Sequence, residues 1–210
     1  MKRKIAVLMM VLALVVTFMP VNASAASKTK KMKAYDQVCI SGQTAYCATV
    51  NGIYKVKLSK SGKAIGKKLL FKDPFGNTGF VHFSEMKVKG KYLYLHVFNE
   101  AATHGIARIN VKTGKKKDLA VMDDDFEYVI DGNKIYYKTI YSSKVKKKVM
   151  KLNGSSKRKT SAKISLKSKK SKKGYSIIET HKDAKVTIWL KTPKGKKRLG
   201  SYVDYEYDEE

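Results

Sequence analysis

The sequence is poor in the residues from which catalytic sites are commonly built. Only 17 of its 210 residues are Asp or Glu, against 45 Lys and Arg, which disfavours the paired carboxylates of glycoside hydrolases. It also lacks a Gly-x-Ser-x-Gly nucleophile elbow, a phosphate-binding loop and a dinucleotide-binding fingerprint. We therefore expect a protein that is not an enzyme, with no catalytic residues and no cofactor.

Cysteine is nearly absent, and the two thiols present have no metal-binding pattern. Cys39 and Cys47 flank a turn at Gly42, and no further ligand lies near them in sequence. A loop centred on Gln43 would set the two cysteines opposite each other and allow a disulfide, whereas a two-residue turn would not. Two alternatives stay open, a Cys39–Cys47 disulfide or two small buried apolar side chains, and no metal site is predicted.

Histidines and acidic clusters also lack the spacing of metal ligands. His96 falls within an alternating strand pattern and is expected to have a packed or surface role, while His104 has no evident partner in the sequence. The acidic run Asp123–Asp125 with Glu127 lacks the alternating spacing of a calcium loop. We expect this run to neutralise neighbouring lysines.

Only one long apolar run occurs, and it lies at the N-terminus. The 15 residues from Ile5 to Met19 follow Lys2-Arg3-Lys4 and precede Ala23-Ser24-Ala25, the layout of a cleavable secretory signal. The run is shorter than the roughly 20 residues of a membrane-spanning helix. We expect residues 1–25 to be a signal peptide and the mature protein to be secreted, released or held non-covalently at the cell wall. No lipoprotein cysteine and no stably embedded membrane segment are expected after cleavage.

The acidic residues are too few to balance the lysines. The net charge is +28, and +25 is left when the three positive charges of the signal are removed. Such a charge attracts polyanions, so the expected partner is an anionic envelope polymer or another extracellular polyanion. Sequence-specific nucleic acid recognition is not expected, and the alternative is that the lysines serve solubility alone.

Two dense lysine clusters are the candidate anion-binding residues. Both are expected in hairpin connections, one in the third repeat and one in the fourth, which open on different ends of the fold. This placement predicts a diffuse basic rim and no compact pocket. The residues are Lys144, Lys146, Lys147 and Lys148 in the first cluster, and Lys167, Lys169, Lys170, Lys172 and Lys173 in the second.

Helical periodicity is absent from the mature chain, and two glycine markers recur every 40 to 52 residues instead. Short runs of alternating or β-branched and aromatic residues lie between these turns, which is typical of strands. The first marker falls at Gly42, Gly90, Gly132 and Gly174, and the second at Gly62, Gly114, Gly154 and Gly195.

Each repeat predicts a four-stranded antiparallel meander, so the fold class is all-β and β-propeller-like, small or partial. The four meanders are expected near residues 34–71, 83–121, 126–162 and 163–202, within one domain at 34–202. A basic linker at 26–33 and an acidic tail or closing strand at 203–210 flank this domain. The alternative is an open array or a β-sandwich made of the same hairpins, and the oligomeric state is not predicted.

One repeat also carries a resemblance to a known class of domain. Gly132-Asn133-Lys134-Ile135-Tyr136-Tyr137, followed by the segment from Lys148 to Arg158 with its Asn-Gly-Ser turn, resembles secreted Gram-positive propeller-like domains and TolB-like propellers. The match is clearest over residues 126–162. It implies a fold and secretion, but no substrate.

The repeats make a specific prediction about burial. Four residues after each first glycine stand Tyr46, Tyr94, Tyr136 and Ile178, and just before these stand Ala45, Leu93, Ile135 and Ile177. Successive strand residues point to opposite faces, so stacked sheets should bury both sets, whereas an open sheet should expose one of them.

Three functions are compatible with the sequence. The first is a secreted, non-enzymatic module that adheres to anionic polymers, as the signal and the charge indicate. The second is a structural or protein-interaction propeller whose charge serves solubility. The third is an extracellular hydrolase with a site that spans several repeats.

Overall fold

The computed structural model describes residues 29–73, 81–99, 104–122, 125–141 and 144–204. These residues form sixteen β-strands and no helix, which confirms the all-β prediction. The strands are β1 (Lys30–Ser41), β2 (Thr44–Thr49), β3 (Gly52–Leu58), β4 (Ala64–Lys72), β5 (Val81–Lys89), β6 (Tyr92–Asn99), β7 (His104–Asn110), β8 (Lys116–Met122), β9 (Asp125–Asp131), β10 (Lys134–Tyr141), β11 (Lys144–Lys151), β12 (Arg158–Lys159), β13 (Ile164–Ser171), β14 (Ser176–Lys182), β15 (Lys185–Thr192) and β16 (Gly195–Val203).

The first three repeats are antiparallel meanders, as the sequence predicts. The first meander is β1–β4, the second is β5–β8 and the third is β9–β12, and each strand pairs with the next. In each meander a two-residue hairpin turn joins the first strand to the second, and the first residue of this turn is glycine. Gly42, Gly90 and Gly132 have φ angles of 55°, 57° and 56°, a region that glycine enters without steric cost.

The fourth repeat departs from this pattern. Strands β14–β16, the fourth meander, form a separate three-stranded sheet, and β13 pairs in parallel with β1 from Lys30 to Val38. A four-residue connection at 172–175 replaces the two-residue turn, so β13 and β14 do not form a tight hairpin. The apolar Ile164 and Leu166 of β13 instead pack against the core beside β1.

This parallel pairing also changes the N-terminal boundary. The sequence assigns residues 26–33 to a linker, but Lys30–Lys33 form the start of β1 because β13 supplies their backbone partners. Residues 1–28 and 205–210 lie outside the described residues, and so do the predicted signal peptide and most of the acidic tail. None of the described elements is a helix long and apolar enough to cross a bilayer.

Three apolar cores hold the meanders together. The first meander packs on the second through residues such as Tyr46 and Leu93, and the second packs on the third through residues such as Tyr94 and Ile135. The fourth packs on the other face of the first, where Cys47 contacts the cluster that contains Ile188. No such core joins the third meander to β14–β16 among the described residues. The stacking order is therefore fourth, first, second, third, a partial propeller.

Five of the eight equivalent positions are buried, as stacked sheets require, and none is fully exposed. Ala45, Leu93 and Ile135 are fully buried, and Tyr46 and Tyr94 are at most 4% exposed. The three others, Tyr136, Ile177 and Ile178, are half-buried. These three lie in the third and fourth repeats, the two ends of the stack, where one sheet face has no neighbouring meander.

Candidate functional site

The predicted anion-binding lysines lie mostly on strands, which corrects their expected placement in hairpin connections. Lys144, Lys146, Lys147 and Lys148 belong to β11, and Lys167, Lys169 and Lys170 belong to β13. Only Lys172 and Lys173 lie in a connection. The strands extend further than the sequence indicates because Tyr137 and Lys138 of β10 pair with the lysines of β11, while β1 pairs with β13.

These two lysine clusters do not come together in one pocket. Strand β11 lies between β10 and β12 in the third meander, and β13 lies beside β1. All nine side chains are exposed except Lys147, which is half-buried. The surface they form is consistent with a diffuse basic rim.

Strand pairing places many lysines directly opposite other lysines. Like charges at such positions repel each other and destabilise a sheet. Opposed lysine pairs occur in the first, third and fourth repeats and between β1 and β13. They are Lys33–Lys167, Lys55–Lys68, Lys134–Lys151, Lys138–Lys147, Lys148–Lys159, Lys182–Lys185 and Lys191–Lys196.

A cationic groove lies where turns of the second and third meanders approach each other. It has a volume of about 620 Å³, and the turn after β5, the turn after β9 and the end of β11 contribute to its walls. Every charged residue that lines it is positive, and among the described residues the four lysines form no ion pair. The cations are Lys89, Lys91, Arg108, Lys134 and Lys151.

Arg108 of β7 is the fixed cation of this groove. Its guanidinium lies over the ring of Tyr92, with 4.1 Å between the guanidinium carbon and the ring centroid. Its Nη1 donates a hydrogen bond to the carbonyl oxygen of Leu152 at 3.1 Å, and the hydroxyl of Tyr94 donates to the same oxygen at 3.1 Å. The side chain is therefore held by stacking and by a hydrogen bond across the two meanders.

A neighbouring acid does not neutralise the groove. Asp131 ends β9 next to the turn, but its carboxylate pairs with Lys30 at 2.8 Å. The hydrogen bond from this pairing is the main reason that the pKa of Lys30 is raised. Lys134 stands opposite Asp131 in the strand register, but no ion pair among the described residues joins Lys134 or Lys151 to an acid.

A second basic groove lies on the first meander. It has a volume of about 530 Å³, and its charged lining residues are Lys55, Lys57, Lys67 and Lys68. Lys67 donates a hydrogen bond to the carbonyl oxygen of Leu199. Burial lowers the pKa of Lys67, and the charges of Arg198 and Lys197 lower it further. This groove contains no guanidinium and no aromatic ring among its lining residues.

A buried carboxyl lies at the centre of the stack. Glu85 occupies a bulge where the pairing of β5 with β6 shifts, and its φ of 52° is in the left-handed region. Its backbone N–H donates to Asp36 Oδ1 at 3.2 Å, and its carbonyl oxygen accepts a hydrogen bond from the hydroxyl of Tyr128 at 2.6 Å. The carboxyl oxygen Oε2 is buried and has no hydrogen-bond partner.

This environment disfavours the charged form of Glu85. Burial raises the pKa of Glu85 to about 7, and the nearby carboxylates of Asp36 and Glu127 add to the effect. The residue does not line either basic groove.

His96 lies beside Glu85, and it contacts His104, for which the sequence shows no partner. His96 Nε2 and His104 Nδ1 are 3.1 Å apart, and His96 Nδ1 lies 3.3 Å from the Ser84 hydroxyl. His96 Nδ1 is 3.9 Å from Glu85 Oε2, too far for a hydrogen bond. A nitrogen-to-nitrogen hydrogen bond requires one acceptor, so at least one ring of the pair is neutral. His96 is half-buried on β6, where its ring packs against Phe126.

The two cysteines are free thiols, so the candidate disulfide is not formed. The two-residue turn pairs Cys39 with Tyr46 and Val38 with Cys47, which places the two thiols on opposite faces of the sheet. Cys39 lies in the core with the second meander, and Cys47 lies in the core with the fourth. Burial raises the pKa of both thiols, which suits a packing role.

No cluster of three or more potential metal ligands occurs among the described residues. Asp123 and Asp124 of the acidic run lie outside them. Glu127 of that run pairs with Lys138 at 3.0 Å, which is the local neutralisation that the sequence predicts.

Comparisons with known proteins identify no family. No family model matches the chain, and no curated protein matches its sequence. Similar solved structures include an uncharacterised protein from Listeria monocytogenes, with 11% identity and a TM-score of 0.45 over 83% of this chain and 57% of that chain. TolB from Acinetobacter baumannii has 11% identity and a TM-score of 0.37 over 82% and 43%.

An oligogalacturonate lyase in complex with manganese is also similar, with 9% identity and a TM-score of 0.40 over 76% of this chain and 50% of that chain. This chain spans less than two thirds of the length of each of these three proteins. TolB-like proteins are thus among the similar structures, at low identity. Likenesses at these TM-scores carry no conclusion about the function of this chain.

The groove and the buried carboxyl were both missed by sequence reasoning. Lys89, Lys134 and Lys151 are far apart in sequence and belong to no dense cluster, so only the stacking of two meanders brings them together. A usable signal existed in the turn alignment, because Lys89 and Lys91 flank one repeated glycine. Glu85 gave no signal, since a bulge is not visible in an alternating pattern.

Proposed function

We propose that this chain is a secreted, non-enzymatic module that binds anionic polymers of the cell envelope. The observation that carries the proposal is the uncompensated positive charge: lysines oppose lysines across the strands, and a groove gathers five cations without an acid. Anions bound at these positions would relieve the repulsion between neighbouring cations. The N-terminal signal supports a role outside the cytoplasm.

A non-enzymatic role is supported by the placement of the titratable groups. Glu85 is the described carboxyl whose pKa is raised to about 7, and such shifts often mark catalytic acids. Its side chain is half-buried, with Oε2 covered, and the residue does not line the cationic groove, so the groove offers a bound polymer no contact with it.

Binding to immobilised polymers tests this function. The mature chain from Ala26 should be retained on a phosphate-bearing polyol polymer and on polygalacturonate at about 0.05 M salt, and released at about 0.5 M, since salt screens exposed charges. Neutral dextran is the control and should not retain it. Absence of retention on both anionic polymers, or retention that ignores salt, would favour the alternative in which the lysines serve solubility.

A further inference from the structure

We infer that the groove around Arg108 is a seat for the phosphate groups of a phosphodiester-linked polyol polymer. This inference rests on the proposed function and names the position and ligand class of the binding. The nine lysines of β11, β13 and the connection at 172–173 would then attract any polyanion. The groove would position the phosphate groups of one polymer class.

The guanidinium of Arg108 is held in a fixed position in the groove. Stacking on Tyr92 and the hydrogen bond to the Leu152 carbonyl hold the guanidinium without an acidic partner. A guanidinium has five N–H donors, and this hydrogen bond uses one of them. The Nε of Arg108 is buried without a hydrogen-bond partner, so the donors left for an oxyanion are those of the Nη groups. Little side-chain entropy is lost when the anion binds, because the guanidinium is already held in place.

Four lysines line the groove together with this guanidinium. Lys89 and Lys91 come from one turn, Lys134 comes from a second, and Lys151 stands opposite Lys134 across the strands. A phosphate presents tetrahedral oxygens that several cations can contact from different sides. A planar carboxylate is instead well satisfied by one guanidinium fork, which does not use the surrounding lysines.

The aromatic rings of the groove are occupied by cations or buried, which favours a polyol phosphate over a nucleic acid. Proteins that bind single-stranded nucleic acid stack bases on free aromatic faces. In this groove the ring of Tyr92 is in contact with Arg108, and the ammonium of Lys91 lies 5.7 Å from the same ring centroid. Tyr94 is 1% exposed, so it offers no face to a base.

The groove size argues for a polymer over a single ion. Its volume of about 620 Å³ is far larger than one phosphate group, and its five cations come from four separate segments of chain. Successive phosphates of one flexible chain can occupy such a site, and each added contact acts at the high effective concentration that the first contact creates.

Calorimetric titration of the mature chain with poly(glycerol phosphate), polygalacturonate and oligothymidylate, at matched charge and low salt, tests the inference. The wild-type protein should bind poly(glycerol phosphate) at least about fivefold more tightly than the other two. Arg108→Gln should weaken this binding about tenfold, and Arg108→Lys should weaken it nearly as much, because lysine cannot keep both the stacking and the donor fork.

A second set of variants keeps Arg108 and its packing intact. The triple variant Lys91→Gln, Lys134→Gln, Lys151→Gln changes only exposed groove residues and should weaken binding at least tenfold. The matched control Lys60→Gln, Lys63→Gln, Lys194→Gln removes the same charge from exposed turns of the first and fourth meanders and should weaken it less than threefold.

The outcomes separate the inference from the proposed function. Equal losses in the two triple variants, with wild-type binding intact, would overturn the groove as the seat but leave the polyanion-binding function standing. Tighter binding of oligothymidylate or polygalacturonate would overturn the polyol phosphate as ligand. No binding of any polyanion by the wild-type protein would overturn both proposals.

Discussion

The ionisation of single residues in this protein, and their contribution to its stability, depend on whether the stacked meanders cover them. The clearest case is Glu85, which a strand bulge turns inward beside Asp36 of β1, Glu127 and Tyr128 of β9 and His96 of β6. Strict alternation along β5 places Glu85 on the same face as Phe83, which packs in the core with the first meander. The bulge reverses that assignment, and it depends on pairing with β6 and on contacts with β1, which no local pattern specifies.

The Glu85 carboxyl should make the stability of the protein depend on pH. Its pKa of about 7 in the folded chain exceeds the ordinary value of 4.5, so folding favours the protonated form. That contribution is complete below about pH 4.5 and is lost as the pH rises through 7. Glu85→Gln removes the ionisation, so the variant should gain stability relative to the wild type between pH 5 and pH 8, by about 1 to 3 kcal/mol.

Urea denaturation at the two pH values measures this difference. Glu179→Gln, at an exposed position, is the control and should show no such gain. A stability difference for Glu85→Gln that is the same at pH 5 and pH 8 would show that the carboxyl is ionised at little cost.

Truncation of core residues should be far more costly than change in the rim. Leu93 and Ile135 are fully buried in the two cores that flank the second meander. Replacement of either residue by Ala should cost about 2 to 5 kcal/mol because a cavity is left. Lys169→Ala, at an exposed position on β13, should cost less than about 0.5 kcal/mol. Comparable losses at all three positions in chemical denaturation would contradict the stacked arrangement.

At the scale of elements, the hairpins follow from local sequence and the fourth repeat does not. Glycine-first turns at Gly42, Gly90 and Gly132 specify three meanders, because each turn fixes which strands pair. The repeated glycine at Gly174 predicts a fourth such hairpin, but β13 pairs with β1 in parallel. Partner choice between distant strands depends on which core is left uncovered, and a repeat pattern does not contain that information.

The turn glycines should differ in their tolerance of a side chain. Gly90 and Gly114 both have positive φ angles, of 57° and 77°. A Cβ at Gly90 meets no atom within 4 Å, whereas a Cβ at Gly114 collides with the backbone carbonyl of Leu70 in the first meander. Gly90→Ala should therefore cost about 1 to 2 kcal/mol from the backbone alone.

Gly114→Ala should cost clearly more, since the second meander must move away from the first. Chemical denaturation of the two variants in parallel measures the difference. Equal costs would mean that the turn after β7 does not approach β4 as closely as the structure has it.

At the scale of the whole molecule, charge opposes the packing of the stack. Composition alone predicts the high positive charge, and repeats predict stacked sheets. Lys89, Lys134 and Lys151 come close to Arg108 only because the second and third meanders are in contact. The sequence therefore predicts anion binding at the dense lysine clusters and does not predict the groove. The opposed lysine pairs likewise need the strand register, which sequence does not provide.

This repulsion should make the free protein more stable in salt. Sodium chloride at about 0.3 M screens exposed like charges and should raise the melting temperature by a few degrees (about 2 to 6). Lys159→Glu turns one opposed pair, Lys148–Lys159, into an attractive one. The variant should be more stable at low salt by about 0.2 to 1 kcal/mol, and the gain should shrink as salt is added. A melting temperature that falls with salt would contradict the account.

The central claim is that the chain binds phosphodiester polymers through the cations of the groove, and the salt dependence of the affinity tests it most directly. With about five cations contacting phosphates, the slope of log affinity against log salt should be about −3 to −4, by analogy with flexible nucleic acid strands. The variant without Lys91, Lys134 and Lys151 should lose about two units of that slope. A slope near zero, or one that the triple variant leaves unchanged, would contradict the claim.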